Sequence, residues 1–397
     1  MQARRITAPA PRPSPRLPAR GSRTCAAWLL LALSALAAAP FPAIAADPAT
    51  ATPPPDAAID DGPYAFRDAD GVHALWVCAG HVVREQAQPR RDGSVRLPER
   101  CGYPHPLQVQ PPLAPALDVV PATARIVALS DIHGQYGLMR RLLRANGVID
   151  AQDRWSLGRD TLVVAGDVFD RGPQVTEVFW LLYGLQQQAA AAGGAVHFVL
   201  GNHETMTLYD DLRYLHPKYV RVAQLLGRPY PALFGADTVL GQWLRTRPAL
   251  LRVGDTLFLH GGIAPQNLDL VQRQAETNAD YRRSLGMPRA DVKQDPVLSR
   301  LYDGKTSPIW YRGYFNGELD GAAVAALVQA LGVKRIVVGH TSMEHISSFH
   351  DGRVIAIDSS IKNGESGELL FIEGERLSRG MPDGSRQPLA EGGAPAD

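Results

Sequence analysis

Cysteine, surplus charge and apolar stretches of membrane-spanning length are all scarce in this 397-residue sequence. Cysteine occurs three times and the formal charge is +1. Residues 1–45 carry six arginines and no acid, so residues 46–397 carry −5. A mildly acidic chain lacks the basic face of a nucleic-acid binder, and no nucleic-acid partner is expected. The apolar run AAWLLLALSALAAA covers only residues 26–39, whereas a bilayer span needs about 20 residues. Proline is scarce after residue 121: 20 of the 32 lie in residues 1–121 and nine in 122–372. The later stretch is therefore the part able to bury one large core. With 45% hydrophobic residues and no glycine period, disorder and collagen are both excluded.

The front end reads as leader, linker and a small loop-rich unit. An arginine-rich segment, the short apolar run and Ala43-Ile44-Ala45 match the three parts of a secretory signal over 1–45. The alternative is an uncleaved membrane anchor. Export predicts a periplasmic or secreted protein with no stable membrane association after cleavage. Residues 46–62 are expected to be a linker, and 63–118 a small β-rich module with turn signals at Asp70-Gly71 and Asp92-Gly93. Cys78 and Cys101 remain after cleavage, an even pair in an oxidising compartment and so a disulfide candidate. The bridge would close a loop of roughly 22 residues, worth about 3 kcal/mol. Two buried free thiols are the alternative; the spacing does not suit a metal.

From residue 125 the pattern changes. RIVALS leads into Asp131-Ile132-His133-Gly134, TLVVA into Gly166-Asp167, AVHFVL into Gly201-Asn202, TLFL into His260-Gly261, and RIVV into Gly339-His340. Continuous apolar runs mark strands buried on both faces, and ligands bind beyond the carboxyl ends of such strands. Helical patterns at 136–146 and 174–192 separate several of them. The expected class is α/β, two packed sheets covered by helices, over 124–372. Residues 373–397 have little periodicity and are expected to be a disordered tail.

Asp131, His133, Asp167, Asn202, His260 and His340 recur at five successive strand ends. Oxygen and imidazole donors without thiolate suit Mn²⁺, Zn²⁺ or iron and disfavour Cu(I) or an iron–sulfur cluster. Six ligand groups with one carboxylate free to bridge suit two ions about 3.5–4 Å apart, the arrangement of two-metal hydrolysis.

DIHG, GDVFDRG, GNHE, HGG and GHT, in that order, resemble the signature of the phosphoprotein-phosphatase branch of the calcineurin-like metallophosphoesterases. GDVFDRGPQVTEVFWLLYGL and PIWYRGYF most resemble the bacterial Shewanella-like phosphatases. The resemblance implies a metallophosphoesterase β-sandwich flanked by helices and a two-metal phosphomonoesterase with Mn²⁺ the leading metal. By the same resemblance, Asp131, His133 and Asp167 hold one ion, and Asp167, Asn202, His260 and His340 the other. A bridging hydroxide would then attack phosphorus. Arg171 offers a bidentate fork to phosphate oxygens, His203 protonates the leaving oxygen, and Asp170 orients His203. Arg312 fits a second phosphate arginine; the alternative is a structural arginine stacked on its aromatic neighbours.

Departures narrow the activity. Thr341-Ser342 stand where calcineurin-like nucleotidases usually carry a further histidine, and Glu204 stands where diadenosine-tetraphosphate hydrolases tend to carry Asp. The expected substrate is a phosphoprotein or a phosphotyrosine-like aryl ester. The alternatives are a broad-specificity periplasmic scavenging phosphatase or nucleotide hydrolase acting on small phosphate esters, and a non-catalytic binding protein on the same scaffold. Asp303-Gly304-Lys305-Thr306 is a loop and not a nucleotide-binding P-loop, because Ser299 occupies the required glycine position.

Overall fold

The computed structural model describes residues 54–392, which belong to one compact unit. The expected export signal, the start of the linker and residues 393–397 lie outside the described residues. No described helix is long and apolar enough to cross a membrane.

In chain order the front of the unit supplies β1 (Asp61–Asp68), β2 (Gly71–Cys78), β3 (His81–Ala87), β4 (Val95–Leu97) and β5 (Leu107–Val109). The first three form an antiparallel meander and the last two a separate pair. Cys78 and Cys101 are joined as a disulfide. Next come β6 (Val119–Val120), β7 (Ile126–Leu129), β8 (Thr161–Val164), β9 (Ala195–Phe198), β10 (Leu250–Val253) and β11 (Thr256–Leu259). The remainder are β12 (Arg335–Val338), β13 (Ser347–Phe349), β14 (Val354–Ala356), β15 (Leu369–Glu373), β16 (Arg376–Gly380), β17 (Arg386–Pro388) and β18 (Ala390–Glu391). Four helices bear on the site: α1 (Tyr136–Ala145), α2 (Val175–Ala191), α3 (Asn202–Leu208) and α4 (Pro217–Leu226).

Two large sheets carry the body, ordered β17-β16-β15-β7-β8-β9 and β18-β13-β14-β12-β11-β10-β6. Their central strands are short, apolar and β-branched, and alternate side chains go to opposite faces. Ile126, Ala128 and Val163 meet Val253, Phe258, Val337 and Ile355 in the core between the sheets. Val127, Leu129, Leu162 and Val164 face outward and pack with Met139, Val178 and Phe179 of α1 and α2. On the other sheet Leu257, Leu259, Ile336 and Val338 cover Val324 and Leu327. Helix, sheet, sheet, helix is the observed layering, as the apolar runs predict. Strands β7, β8 and β9 run parallel, as do β11, β12 and β14, so their carboxyl ends gather on one rim.

Two expected boundaries are corrected, and one expectation of the module is explained. Asp61, placed in a linker ending at 62, opens β1 and is fully buried, because its charge is met by a lysine 157 residues away. The module does not have a core of its own: Tyr64, Phe66 and Trp76, each 1% exposed or less, join the same apolar cluster as α2 and α4. Burying such a side chain is worth about 2–3 kcal/mol. The catalytic body does not end at 372, and the expected disordered tail is not found over 373–392. β16 to β18 add to the two sheets at their edges, with Arg379 bonded at 2.7 Å to buried Glu368. These strands are polar and interrupted by glycine and proline, so they lack the apolar alternation that marks strands in sequence.

Candidate metal centre and active site

The five motif loops leave β7, β8, β9, β11 and β12 on one rim. A strand that must stop, turn and aim a ligand backwards needs unusual dihedrals. Twelve described non-glycine residues have positive φ, and six of them are Asp131, His133, Asp167, Asp170, Arg171 and His340. Such conformations cost of order 1–3 kcal/mol each and persist only where surroundings over-determine them. The surroundings here are backbone groups of the next loop: Asp131 N donates to Gly166 O at 3.1 Å, and His133 N to Asp167 O at 3.0 Å. Glycine is required where ligand side chains lie against the chain. A Cβ on Gly201 would sit 2.2 Å from Asp167 Oδ1, and one on Gly339 2.6 Å from Asp131 Oδ2.

Glu204 ties two loops together. Its Oε2 accepts from Asp167 N at 2.9 Å and Gly201 N at 2.7 Å, and its Oε1 from Val168 N at 2.8 Å. Burial and the nearby Asp167 push its pKa up, while these N–H groups favour the carboxylate. Asp167 Oδ1 in turn accepts from His203 N at 3.0 Å.

Hydrogen bonds fix the imidazole tautomers. His133 Nδ1 lies 2.6 Å from Phe169 O, and His260 Nδ1 lies 2.7 Å from Ala165 O. A carbonyl only accepts, so both protons are on Nδ1 and both Nε2 lone pairs face the centre. His133 Nε2 lies 3.7 Å from Asp167 Oδ2 and 3.9 Å from Asp131 Oδ1. His260 Nε2 lies 3.0 Å from Asp167 Oδ2 and 2.9 Å from Asn202 Oδ1. His340 Nε2 is buried without a partner.

The donor set fits two divalent cations. His133, Asp167 and His203 form one buried trio, and Asp167, His260 and His340 a second, each with its ligand atoms within 4.8 Å of one another. Asp167 is shared, the position of a bridging carboxylate. Electrostatics agree, because the side chains alone do not balance. Burial, then Asp358 and Asp167, push the Asp131 pKa up to about 8. Burial opposes the charged form of His260, yet Asp167 and Asp131 hold it at about 10. A proton there does what a cation does better.

His203 differs from the other histidines. Its Nδ1 lies 2.6 Å from Asp170 Oδ2, which is fully buried behind it. Burial works against its charge, but Asp167 and Asp170 raise its pKa above the ordinary histidine value. A base-supported imidazolium with Nε2 turned to the pocket has the form of a proton donor.

Asp131, His133, Asp167, Asn202, His203 and His340 line a pocket of about 90 Å³ together with Arg171, Tyr214, Trp310, Arg312 and Lys362; His260 is fully buried behind it. A larger cleft of about 560 Å³, lined by Tyr103, His105, Gln110 and α2, holds none of these donors. The residues that the sequence nominates for metal, catalysis or phosphate line the small pocket, except His260 and Asp170, which are fully buried. Arg171 stacks 4.9 Å over the Tyr214 ring, and Arg312 Nη1 donates to His340 O and, at 3.2 Å, to Thr341 Oγ1. Lys362 is the residue missed. Its Nζ donates to Ser342 Oγ, which donates to buried Asp358 at 2.6 Å. It follows the carboxyl end of β14, so extending the strand-end search past GHT to DSSIK was the available signal.

Comparisons with known proteins agree with this geometry. The family model described as calcineurin-like phosphoesterase matches residues 124–343. A crystal structure titled cold-active protein-tyrosine phosphatase, from a psychrophilic Shewanella species, is 40% identical with a TM-score of 0.78, covering 83% of this chain and 99% of its own. Shewanella-like protein phosphatase 2 of Arabidopsis thaliana is 28% identical, covering 67% of this chain and 78% of its own. An uncharacterised Schizosaccharomyces pombe protein is 30% identical, covering 65% of this chain and 78% of its own.

Proposed function

The chain belongs to the calcineurin-like phosphoesterases, and from that premise we propose a two-metal phosphomonoesterase acting on phosphoproteins, with phosphotyrosine the preferred residue. The observation that carries the reading is a set of unmatched charges. Arg171, Arg312 and Lys362 converge on the pocket, and none has a carboxylate within ion-pair distance among the described residues. Cations without an ion-pair partner around a small pocket suit an anionic ligand, and the planar arginines suit phosphate oxygens. Tyr214 and Trp310 stand beside His203 and His340, with ring centroids 5.3 Å apart in each pair. Such walls suit the ring of an aryl ester, and the similar Shewanella protein is named a protein-tyrosine phosphatase, which supports the same preference.

Asp131, His133 and Asp167 would hold one cation and Asp167, Asn202, His260 and His340 the other, Mn²⁺ being the leading candidate for both. When bound, they supply a water of lowered pKa and positive charge for the phosphoryl oxygens. Arg171 and Arg312 orient the ester and neutralise charge that spreads over its oxygens. His203, held by Asp170, delivers the proton to the departing tyrosyl oxygen from Nε2. Export to the periplasm or beyond accords with the disulfide, which persists in oxidising compartments.

The test is an activity panel on residues 46–397 reconstituted with Mn²⁺, Zn²⁺ or iron. Its substrates are phosphotyrosine and phosphoserine peptides, aryl phosphate, nucleotides and a phosphodiester. A kcat/KM at least tenfold higher on phosphotyrosine peptides than on nucleotides is expected. Equal rates on every monoester would convert the reading to a scavenging phosphatase, and no turnover with two metals bound would end both.

A further inference from the structure

We infer that the β-rich module positions the loop that carries Asp170 and Arg171, its Asp61 holding Lys218 and, beside it, Tyr219 of α4 against that loop in a buried cluster. The inference rests on the roles proposed above for those two loop residues. It concerns positioning, since none of the three touches the pocket.

The loop in question runs from Asp167 to Val175. Asp170 and Arg171 both have positive φ, and two more contacts bind the loop to its neighbour: Gly172 N donates to His133 O at 2.9 Å, and Gln174 N to Gly134 O at 3.1 Å. Beyond Gly172 the chain is held from the other side. Lys218 Nζ donates to Pro173 O at 2.8 Å, Tyr219 OH donates to the same oxygen at 3.0 Å, and Val175 N donates to Tyr219 OH at 2.6 Å. Lys218 and Tyr219 stand in the first turn of α4. One turn of helix therefore saturates both the carbonyl and the amide that flank the start of α2.

A buried ammonium needs a counter-charge. Asp61, fully buried in β1, provides it with Oδ1 at 3.2 Å, and Glu177 Oε1 lies at 3.7 Å. Burial opposes charge on Lys218, yet Asp61 and Glu177 keep its pKa above the ordinary lysine value. Asp61 is oriented by Tyr64 OH at 2.5 Å, and Tyr64 OH also accepts from Thr176 Oγ1 at 3.3 Å. Trp180 Nε1 donates to Pro63 O at 2.8 Å. The module thus meets the loop and α2 through hydrogen-bonded atoms as well as apolar contact. Buried ion pairs contribute little net stability compared with apolar replacements but hold a specific geometry. Geometry is what a phosphate arginine and a proton donor's partner require.

The test uses the metal-loaded chain (residues 46–397) and four variants: Lys218→Met with Asp61→Asn, which removes both charges together, Tyr219→Phe alone, Arg171→Ala, and Arg171→Ala combined with the Lys218→Met/Asp61→Asn pair. Metal content, melting temperature, kcat and KM on aryl phosphate are measured for each. The expected result is two metals retained, a melting temperature close to the parent's, and kcat lowered about tenfold in the double variant and less in Tyr219→Phe. Combined with Arg171→Ala, the Lys218→Met/Asp61→Asn change should cost clearly less than it does alone, because both act on one loop. A folded, metal-loaded Lys218→Met/Asp61→Asn protein with unchanged kcat would overturn the inference. If that protein fails to fold, unchanged kcat in Tyr219→Phe overturns it equally. Full additivity with Arg171→Ala would do the same. Absence of turnover in the parent protein would instead sink the phosphatase reading.

Discussion

In the module, Tyr64, Phe66 and Trp76 are buried among apolar neighbours, and Ala79 is the only non-glycine residue of β1 to β5 and their turns with positive φ. In the motif loops six non-glycine residues have positive φ, and buried carboxylates and imidazoles stand where apolar side chains would pack. One region lowers the free energy of the fold and the other stores strain and unbalanced charge. The strained region is tolerable because each loop is bonded to the next and because the proposed cations would complete its charge. Apart from Asp61, whose pairing with Lys218 reaches the catalytic loop, stability and chemistry are therefore segregated, and substitutions in the two regions should separate in the laboratory.

The sharpest break comes at Asp167, shared by both donor trios. Asp167→Asn should lower kcat/KM by about a thousandfold or more and cut bound metal below two per chain by elemental analysis. Its melting temperature without metal should fall as well: burial opposes the Asp167 charge, yet His260, His203 and His133 hold its carboxyl well below the usual carboxylate range, and His260 loses its counter-charge. A variant that kept two metals would contradict the bridging role.

His203→Ala should cost about 10²–10⁴ in kcat, with metal content intact. The loss should depend on the leaving group. Phenyl phosphate and phosphotyrosine need a proton on the departing oxygen, whereas p-nitrophenolate leaves without one. A loss that is equal on phenyl and p-nitrophenyl phosphate would make His203 a metal ligand, as its place in a trio with His133 and Asp167 would also allow.

Lys362→Met should act more gently, raising KM for monoesters about tenfold, as loss of one charge-assisted contact of some 1.5 kcal/mol would, with kcat changed less. Unchanged KM would return Lys362 to a purely structural tether of Ser342.

The same segregation explains what was legible in the sequence. The motif loops announce themselves because each apolar run stops abruptly at a ligand residue with glycine beside it, and strain leaves that local mark. Arg312 was found only by its motif position. Lys362 carries a weaker mark: it stands beyond the carboxyl end of β14 in DSSIK and not at the first polar residue after the run, and it joins the rim only because β14 pairs with β12. Asp61 and Lys218 are 157 residues apart, and either alone reads as a solvated surface charge. β16 to β18 were missed for a further reason: β16 buries the polar Ser378 and Arg379, and edge strand β17 is wholly exposed, so their residues resemble those of a tail.

Removing the disulfide tests the stabilising half of the comparison. Cys78→Ser with Cys101→Ser frees the unfolded chain from a loop of roughly 22 residues, a loss of about 3 kcal/mol on the chain-entropy account. The folded module keeps Trp76, Tyr64 and the Asp61–Lys218 contact, none of which depends on the sulfur atoms. Thermal unfolding should therefore fall by several degrees, roughly 2–4 °C per kcal/mol for a chain of this order, while kcat at 25 °C stays within about threefold. A kcat that collapsed at a temperature where the variant is still folded would mean that the bridge itself sets the Asp167–Val175 loop. The two regions would then not be separable. A melting point that did not move would mean that the module is held almost entirely by the core it shares with α2 and α4.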